Sequence, residues 1–477
     1  MVDPFYPLLE GNPPVEGDGN MCAFRIAAGR VDMKMRYVDT ERLRLERAAS
    51  ERLFGLYRNP FSHHPCVRAA VDSTANTNLV SWAGRLLALK ESALPYAVDP
   101  DTLETLGYDP FNSPGKTFSA HPKADPLTGE LVVFGYEAKG LGSRDIVVYT
   151  LDQQGAVRDE QWLEAPWPAF IHDCALTPNF VILVLWPYDA DVDKMKAGGQ
   201  HWTYNKDRDA TFIVVPRRAS FVPPGWAAGE RHRVYHWDHA MLLHTAGAWE
   251  EEKEEGPAGT NSITLRIESS RMFYNLFPML GERTDKPFGD MKADYVRWTL
   301  DLGQPDGTRL ADPEVILDMP GEMARIDERF LTQPYNRLFC PVVVPGKPCP
   351  VPPVLPAGLN GYMMLDKASG ATTLFEPGLA CTLEEPAFVP RSPDAPEGDG
   401  WLLGMVQRLD VNRSDLVVLD TNDITKPVAV VQLPFRMKPQ IHGNWVDAAP
   451  GQPKGLARSY PSEVKVSGRG ALETESK

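Results

Sequence analysis

Ten histidines carry most of the chemistry this sequence could perform: His63, His64, His121, His172, His201, His232, His236, His239, His244 and His442. Four of them sit in apolar or glycine-flanked settings. His121 lies in FSAHPK, His172 in PAFIHDCALT, His244 in AMLLHTAGAWEE and His442 in QIHGNW. A buried imidazole without a partner is costly. Each therefore needs a hydrogen bond or a metal ion. They stand 51, 72 and 198 residues apart, so no local motif unites them. Only a fold that returns repeatedly to one axis could bring them together. Four neutral imidazoles would then suit Fe(II), Zn(II), Cu or Ni rather than Mg or Ca. From spacing alone, a hydrogen-bonded core histidine stays open at every position. The run His232-x3-His236-x2-His239-x4-His244 also has ligand-like spacing, but it lacks the His-Glu-x-x-His arrangement of a metalloprotease helix. His63-His64 follows Asn59-Pro60 and reads as an exposed turn.

Other chemistries are poorly served. Gly115-Lys116-Thr117 resembles the end of a phosphate-binding loop, but position 110, where that loop needs glycine, is Pro110. Gly140-Leu141-Gly142 lacks the third glycine of a dinucleotide site. No G-x-S-x-G element is present. The 49 basic against 64 acidic residues give a net charge of −15, which argues against nucleic acid and anionic lipid as partners. The apolar run Phe180–Trp186 is too short to span a bilayer, and the first twenty residues lack the pattern of a secretory signal. Six cysteines at scattered spacings make no disulfide framework. A reduced, cytoplasmic enzyme is the expectation.

The elements that must position the histidines are short strands. With 38 glycines and 44 prolines, long helices have little room. Strand-like runs recur at Glu130–Gly135, Asp145–Leu151, Phe180–Trp186, Thr211–Pro216 and Asp415–Asp420. A strand ending in an apolar residue and Asp, then a turn, then a second strand, appears five times, at Asp99, Asp152, Asp301, Asp366 and Asp420. Three gaps between them are 53, 65 and 54 residues; the fourth, 149, has room for two or three further units. Such a period fits the blades of a β-propeller. Thr40–Leu56 is the best helical window and Glu250–Gly256 reads as a solvated charged loop. A single catalytic domain is expected over 1–447, with 448–477 a disordered tail.

The four histidine contexts, in this order, resemble those of the carotenoid cleavage oxygenase superfamily, and most of all its lignostilbene dioxygenase and isoeugenol oxygenase branch. VEGDGNMCAFR (15–25), RLFGLYRNPF (52–61), ANTNLV (75–80), AHPKADPLTGE (120–130) and LPFRMKPQIHGNW (433–445) carry the resemblance with them. It implies an all-β, seven-bladed propeller, loops capping one face and Fe(II) on the axis. His121, His172, His244 and His442 match the metal ligands; Glu91, Glu322 and Glu385 match the carboxylates that hold ligand imidazoles. Thr77 matches a residue that crowds an open metal position. Tyr57 and Lys90 match a pair that binds a phenol. His232, His236 and His239 match no ligand. The sequence departs from the pattern in four places. Strands expected ahead of Gly17-Asp18-Gly19 are missing, so the first blade should be shortened. A pocket aromatic falls near Pro14-Val15. Gly247 stands where Asn is usual, and Met323-Ala324 follows Glu322.

The implied activity is cleavage of an aryl alkene by O₂ into two carbonyls, acting on isoeugenol, 4-vinylguaiacol or 4-hydroxystilbenes such as resveratrol and giving aldehydes such as vanillin. Tyr57 and Lys90 would orient the 4-oxygen, Lys90 favouring the phenolate. The alternative is an apocarotenoid-cleaving dioxygenase on the same site. A propeller serving only as a scaffold would give no reason for four buried histidines. The expected partners are O₂ and a small phenolic alkene, without nucleic acid or stable membrane insertion, in a monomer or homodimer.

Overall fold

Apolar, β-branched runs interrupted by Gly and Pro fold as short antiparallel strands, and these assemble into the blades of an all-β propeller. The computed structural model describes residues 1–113, 115–253, 262–277, 280, 293–347 and 359–447. The expected tail, 448–477, lies outside them. Blade one comprises Asn78–Trp82, Arg85–Leu89, Tyr96–Val98 and Thr105–Tyr108. Blade two runs from Lys123–Ala124 to Val157–Glu164, blade three from Ala169–Leu176 to Arg233–Trp237, and blade four from Thr245–Lys253 to Glu314–Leu317. Blade five holds three described strands between Arg337 and Phe375, and blade six begins at Cys381–Leu383 and ends at Asp423–Gln432.

Among the described residues there are six blades, where seven were expected. The reason lies in the long gap of the repeat. Among the described residues between Asp152 and Asp301 there is one complete blade, not two or three units, and its corresponding hairpin turns after Pro216 without an aspartate. Long strands such as Phe180–Ala190, and the insertion bearing Trp202–Tyr204, take up the extra length. Between blades six and one lies only a two-stranded sheet, Asn20–Ala27 paired with Arg30–Tyr37. Met21 and Ala23 pack on blade one, while Cys22 and Phe24 pack on Met405, Leu416 and Val431 of blade six. Successive side chains of one strand thus seal both neighbours.

The repeated aspartates have a local cause. Each carboxylate accepts backbone N–H groups just ahead in the turn: Asp99 from Asp101 and Thr102, Asp152 from Gln154 and Ala156, Asp301 from Gly303, Asp366 from Ser369, and Asp420 from Asn422. The motif is a side-chain-closed turn at the hairpin that follows a blade strand.

Three local expectations change. The helical window yields a helix only over Glu41–Ala49, capped by Thr40 and stopped by Ser50 at φ 56°. Glu250–Lys253 extends the first strand of blade four rather than forming a loop, since Glu250 is held by Asn179 across the blade boundary. His63 is buried, not exposed: its Nδ1 accepts the Gly55 N–H and its Nε2 meets Asp72 at 3.1 Å. Among the described residues no helix is long and apolar enough to cross a membrane, and five cysteines are free thiols.

Candidate metal centre

Each imidazole reaches the axis from an irregular stretch of backbone, where the ladder is interrupted and a side chain can be re-aimed. His121 lies just before the short first strand of blade two. His172 sits in a register shift between Ile171 and Cys174. His244 precedes Thr245–Lys253, whose register shifts between Thr245 and Ala248. His442 comes from the irregular segment after blade six. Asp173 ties three blades here: its carboxylate takes Lys123 Nζ at 2.7 Å and the Thr245 N–H and hydroxyl at 2.8 and 2.9 Å.

The four rings converge. Their potential ligand atoms all lie within 4.8 Å of one another. His121 Nε2 is 3.1 Å from His172 Nε2, which is 3.0 Å from His244 Nε2. The ring of His121 stands 4.5 Å from those of His172 and His442, centroid to centroid. Three Nδ1 atoms are engaged from behind: His172 with Glu91 at 2.6 Å, His244 with Glu322, and His442 with Glu385 at 3.2 Å. A carboxylate fixes the Nδ1–H tautomer and leaves Nε2 as a bare lone pair. Lone pairs facing one another at 3 Å repel unless a cation lies between them. Two nitrogens bonded at 2.0–2.1 Å to one ion at right angles would be about 3 Å apart. His442 Nε2 is buried without a partner. Donor chemistry, spacing and this orphaned nitrogen all fit a metal ion.

Electrostatics agree. Burial, then the other three imidazoles, push His121 well below the usual imidazole range, so it offers a neutral lone pair. Burial raises the carboxyls, but the hydrogen bond from His172 brings Glu91 down to about 2; His442 and then Arg325 do the same for Glu385. Glu322 is likewise lowered, chiefly by His244 against burial. It also accepts Ser270 Oγ and, at 2.6 Å, the N–H of Met323, which turns there at φ 57°. The unusual Met323 therefore leaves the carboxylate satisfied. Gly247 is explained by its neighbour: a Cβ there would lie 2.6 Å from Tyr335 Cε1.

The remaining residues fall apart into two groups. His236 meets Asp209 at 2.8 Å, and His239 spends both nitrogens on the Arg208 carbonyl and the Tyr204 hydroxyl. Together with His232 they lie outside the four-histidine cluster. Lys90 and Tyr57 are both buried, and Lys90 Nζ lies 5.2 Å from the Tyr57 ring centroid. Burial and then Glu91 raise Tyr57 well above the phenol range, so its hydroxyl stays protonated. Thr77 is buried and gives its hydroxyl to Asn76 Oδ1 at 3.1 Å. A pocket of about 210 Å³ reaches His121 and His244 and is lined by Lys123, Asp173, Arg325 and Asn444, but not by Tyr57 or Lys90. Sequence reasoning missed Arg325 and Asn444. Asn444 stands within a quoted motif and Arg325 directly after Met323-Ala324, but the contacts that join them come from distant parts of the chain.

Comparison with known proteins gives a consistent picture. The chain matches the retinal pigment epithelial membrane protein family over residues 1–447. It is 53% identical to resveratrol cleavage oxygenase 1 of Botryotinia fuckeliana, over 99% of this chain and 84% of that protein. It is 36% identical to isoeugenol monooxygenase of Pseudomonas putida, over 90% and 87%. The crystal structure of Pseudomonas brassicacearum lignostilbene dioxygenase superposes with a TM-score of 0.83 at 34% identity, over 94% of this chain and 91% of that one.

Proposed function

This chain belongs to the retinal pigment epithelial membrane protein family, the carotenoid cleavage oxygenases, and from that premise we propose that it is a non-haem iron(II) dioxygenase that cleaves the alkene of 4-hydroxyphenyl alkenes to aromatic aldehydes. The catalytic propeller would span residues 1–447, with the pair Asn20–Ala27 and Arg30–Tyr37 standing between blades six and one. His121, His172, His244 and His442 would hold iron, oriented by Glu91, Glu322 and Glu385, with Thr77 limiting access beside them. When bound, iron supplies the activation of O₂ that an organic side chain cannot.

The observation that carries the substrate class is the buried Tyr57–Lys90 pair. Lys90 directly precedes Glu91, whose carboxylate holds His172, so an oxygen recognised by Lys90 is tied to the metal centre through one peptide. Lys90 Nζ sits over the Tyr57 ring, and a cationic donor beside a phenol ring suits an aryl group bearing a 4-oxygen. Phe170, stacked on Trp202 at 4.8 Å, and Trp186, 4.7 Å from the ring of His172, belong to the same cluster as Tyr57. They suit a flat aryl group. A long apocarotenoid offers no acceptor oxygen to Lys90 or Tyr57 and gains nothing from either. Isoeugenol and its 4-O-methyl ether, compared with the iron-loaded enzyme under saturating O₂, test this reading. The phenol should turn over and the ether poorly. Lys90→Met should lower kcat/KM for the phenol by roughly 10–150-fold, the worth of a hydrogen bond to a charged group, with iron content unchanged. Equal rates for phenol and ether would remove the aryl-oxygen role.

A further inference from the structure

The buried ammonium of Lys90 already has a counter-ion. Among the described residues its salt-bridge partner is Glu16, whose Oε2 lies 3.5 Å from Nζ. The other oxygen, Oε1, accepts from Arg42, and Arg42 also donates to Asp72 at 2.8 Å. Asp72 in turn meets His63. Glu16, Arg42 and Lys90 all have side chains at most 3% exposed. Two carboxylates and two cations therefore balance before any ligand enters. A third carboxylate, Glu91, acts on Tyr57 from the metal side, against Arg58. Asp18 and Glu46 add further negative charge around Arg42.

The 3.5 Å contact is long for an ion pair, whose charged hydrogen bonds run about 2.7–2.9 Å. An ammonium has three donors. Lys90 thus keeps the capacity to donate to an incoming oxygen while Glu16 holds its position. A neutral phenol oxygen accepts such a bond and adds no charge. A phenolate adds a negative charge beside Glu16 and Glu91 in a site whose carboxylates already match or outnumber its cations, and like charges in a buried setting repel strongly.

Resting on the aryl-oxygen reading above, we propose that Glu16 is a positioning and specificity residue: it fixes the Lys90 ammonium and makes the site select the neutral 4-hydroxyl over the phenolate.

The test uses the full-length iron-loaded protein without O₂. Binding of vanillin and of its 4-O-methyl ether is followed by tryptophan fluorescence, below and above the ionisation of vanillin itself. Wild type should bind vanillin about tenfold more weakly once the probe is ionised, while the ether is bound equally at both pH values; tenfold is the effect of one modest charge contact. Glu16→Gln should reverse the preference, binding the anion at least as tightly as the neutral form, with ether binding unchanged. Glu16→Asp should keep the wild-type order. Wild type preferring the anion would overturn the proposal, and this measurement stands even if Glu16→Gln does not fold. So would Glu16→Gln leaving the preference intact, or weakening vanillin and ether alike as a structural residue would. Lys90→Met separates the two readings, because it leaves Glu16 in place. If it leaves the choice between vanillin and ether untouched, the aryl-oxygen site itself fails and the role of Glu16 falls with it.

Discussion

The imidazoles and carboxylates at the axis divide their work. Nε2 faces the centre while Nδ1 is occupied by a carboxylate in His172, His244 and His442. His172→Ala or His442→Ala should therefore strip iron from the loaded protein, measured by metal analysis. His239→Ala should retain it, because both nitrogens of His239 are already engaged. Retained iron in the first two variants, or loss in the third, would contradict the ligand set. Glu384 next door behaves oppositely to Glu385. Burial pushes its carboxyl up to about 7, against hydrogen bonds from the Gln440 N–H and from Gln407. Both donors reach Oε1, and Oε2 is buried without a partner, as befits a protonated acid. A carboxyl raised on folding contributes stability that is full below its unfolded value, near 4.5, and is lost as pH rises through about 7. Glu384→Gln should raise the melting temperature at alkaline pH, recovering up to about 3 kcal/mol, and change little in acid.

At the scale of the strand, chemistry depends on irregularity. The interior strands of blades three and four shift register at their histidines, and Asp173 binds the shifted segments together through Lys123 and Thr245. Gly247 lies inside the second shift and leaves room for Tyr335, whose hydroxyl donates to the buried Glu268. Gly247→Ala should cost about 1–3 kcal/mol by overpacking and, because His244 stands three residues earlier, just before the same strand, should also loosen iron. Thermal melting and metal content measure the two effects. A melting temperature equal to wild type would mean that Tyr335 moves aside freely.

The whole molecule closes through segments with little regular structure. His442 belongs to one of them. Its neighbour Gly443 donates to Glu385 at 3.1 Å, and Asn444 donates to Asn78 Oδ1 and to the Leu79 carbonyl, at 3.0 and 2.7 Å, at the start of blade one. Arg325 completes the clasp, donating to Asn444 Oδ1 at 2.8 Å and facing Glu385 at 3.4 Å. His442 is thus held by contacts that join its segment to the start of blade one and to Arg325. Asn444→Ala removes three hydrogen bonds to partly buried groups, each worth about 0.5–1.5 kcal/mol. It should weaken iron retention more than it lowers overall stability, compared by chelator competition and by thermal melting. Unaltered iron retention would show that blade six alone positions His442.

The sequence by itself determined the strand-rich class and the turn aspartates. These are matters of residue type: β-branched runs make strands, and an Asp closes its own turn. Which four of the ten histidines belong together was legible through the resemblance, since spacing left a core role open for each. The Glu91, Glu322 and Glu385 contacts were legible through the resemblance, since each lies in a motif of its own. The tertiary structure alone decided the rest. It made the long gap a single expanded blade and set one two-stranded hairpin between blades six and one. It buried His63 beside Asp72, and it set Glu16 against Lys90 across 74 residues. Spacing along a chain carries no information about which side chains meet once loops of unequal length return to a common axis; only packing fixes that.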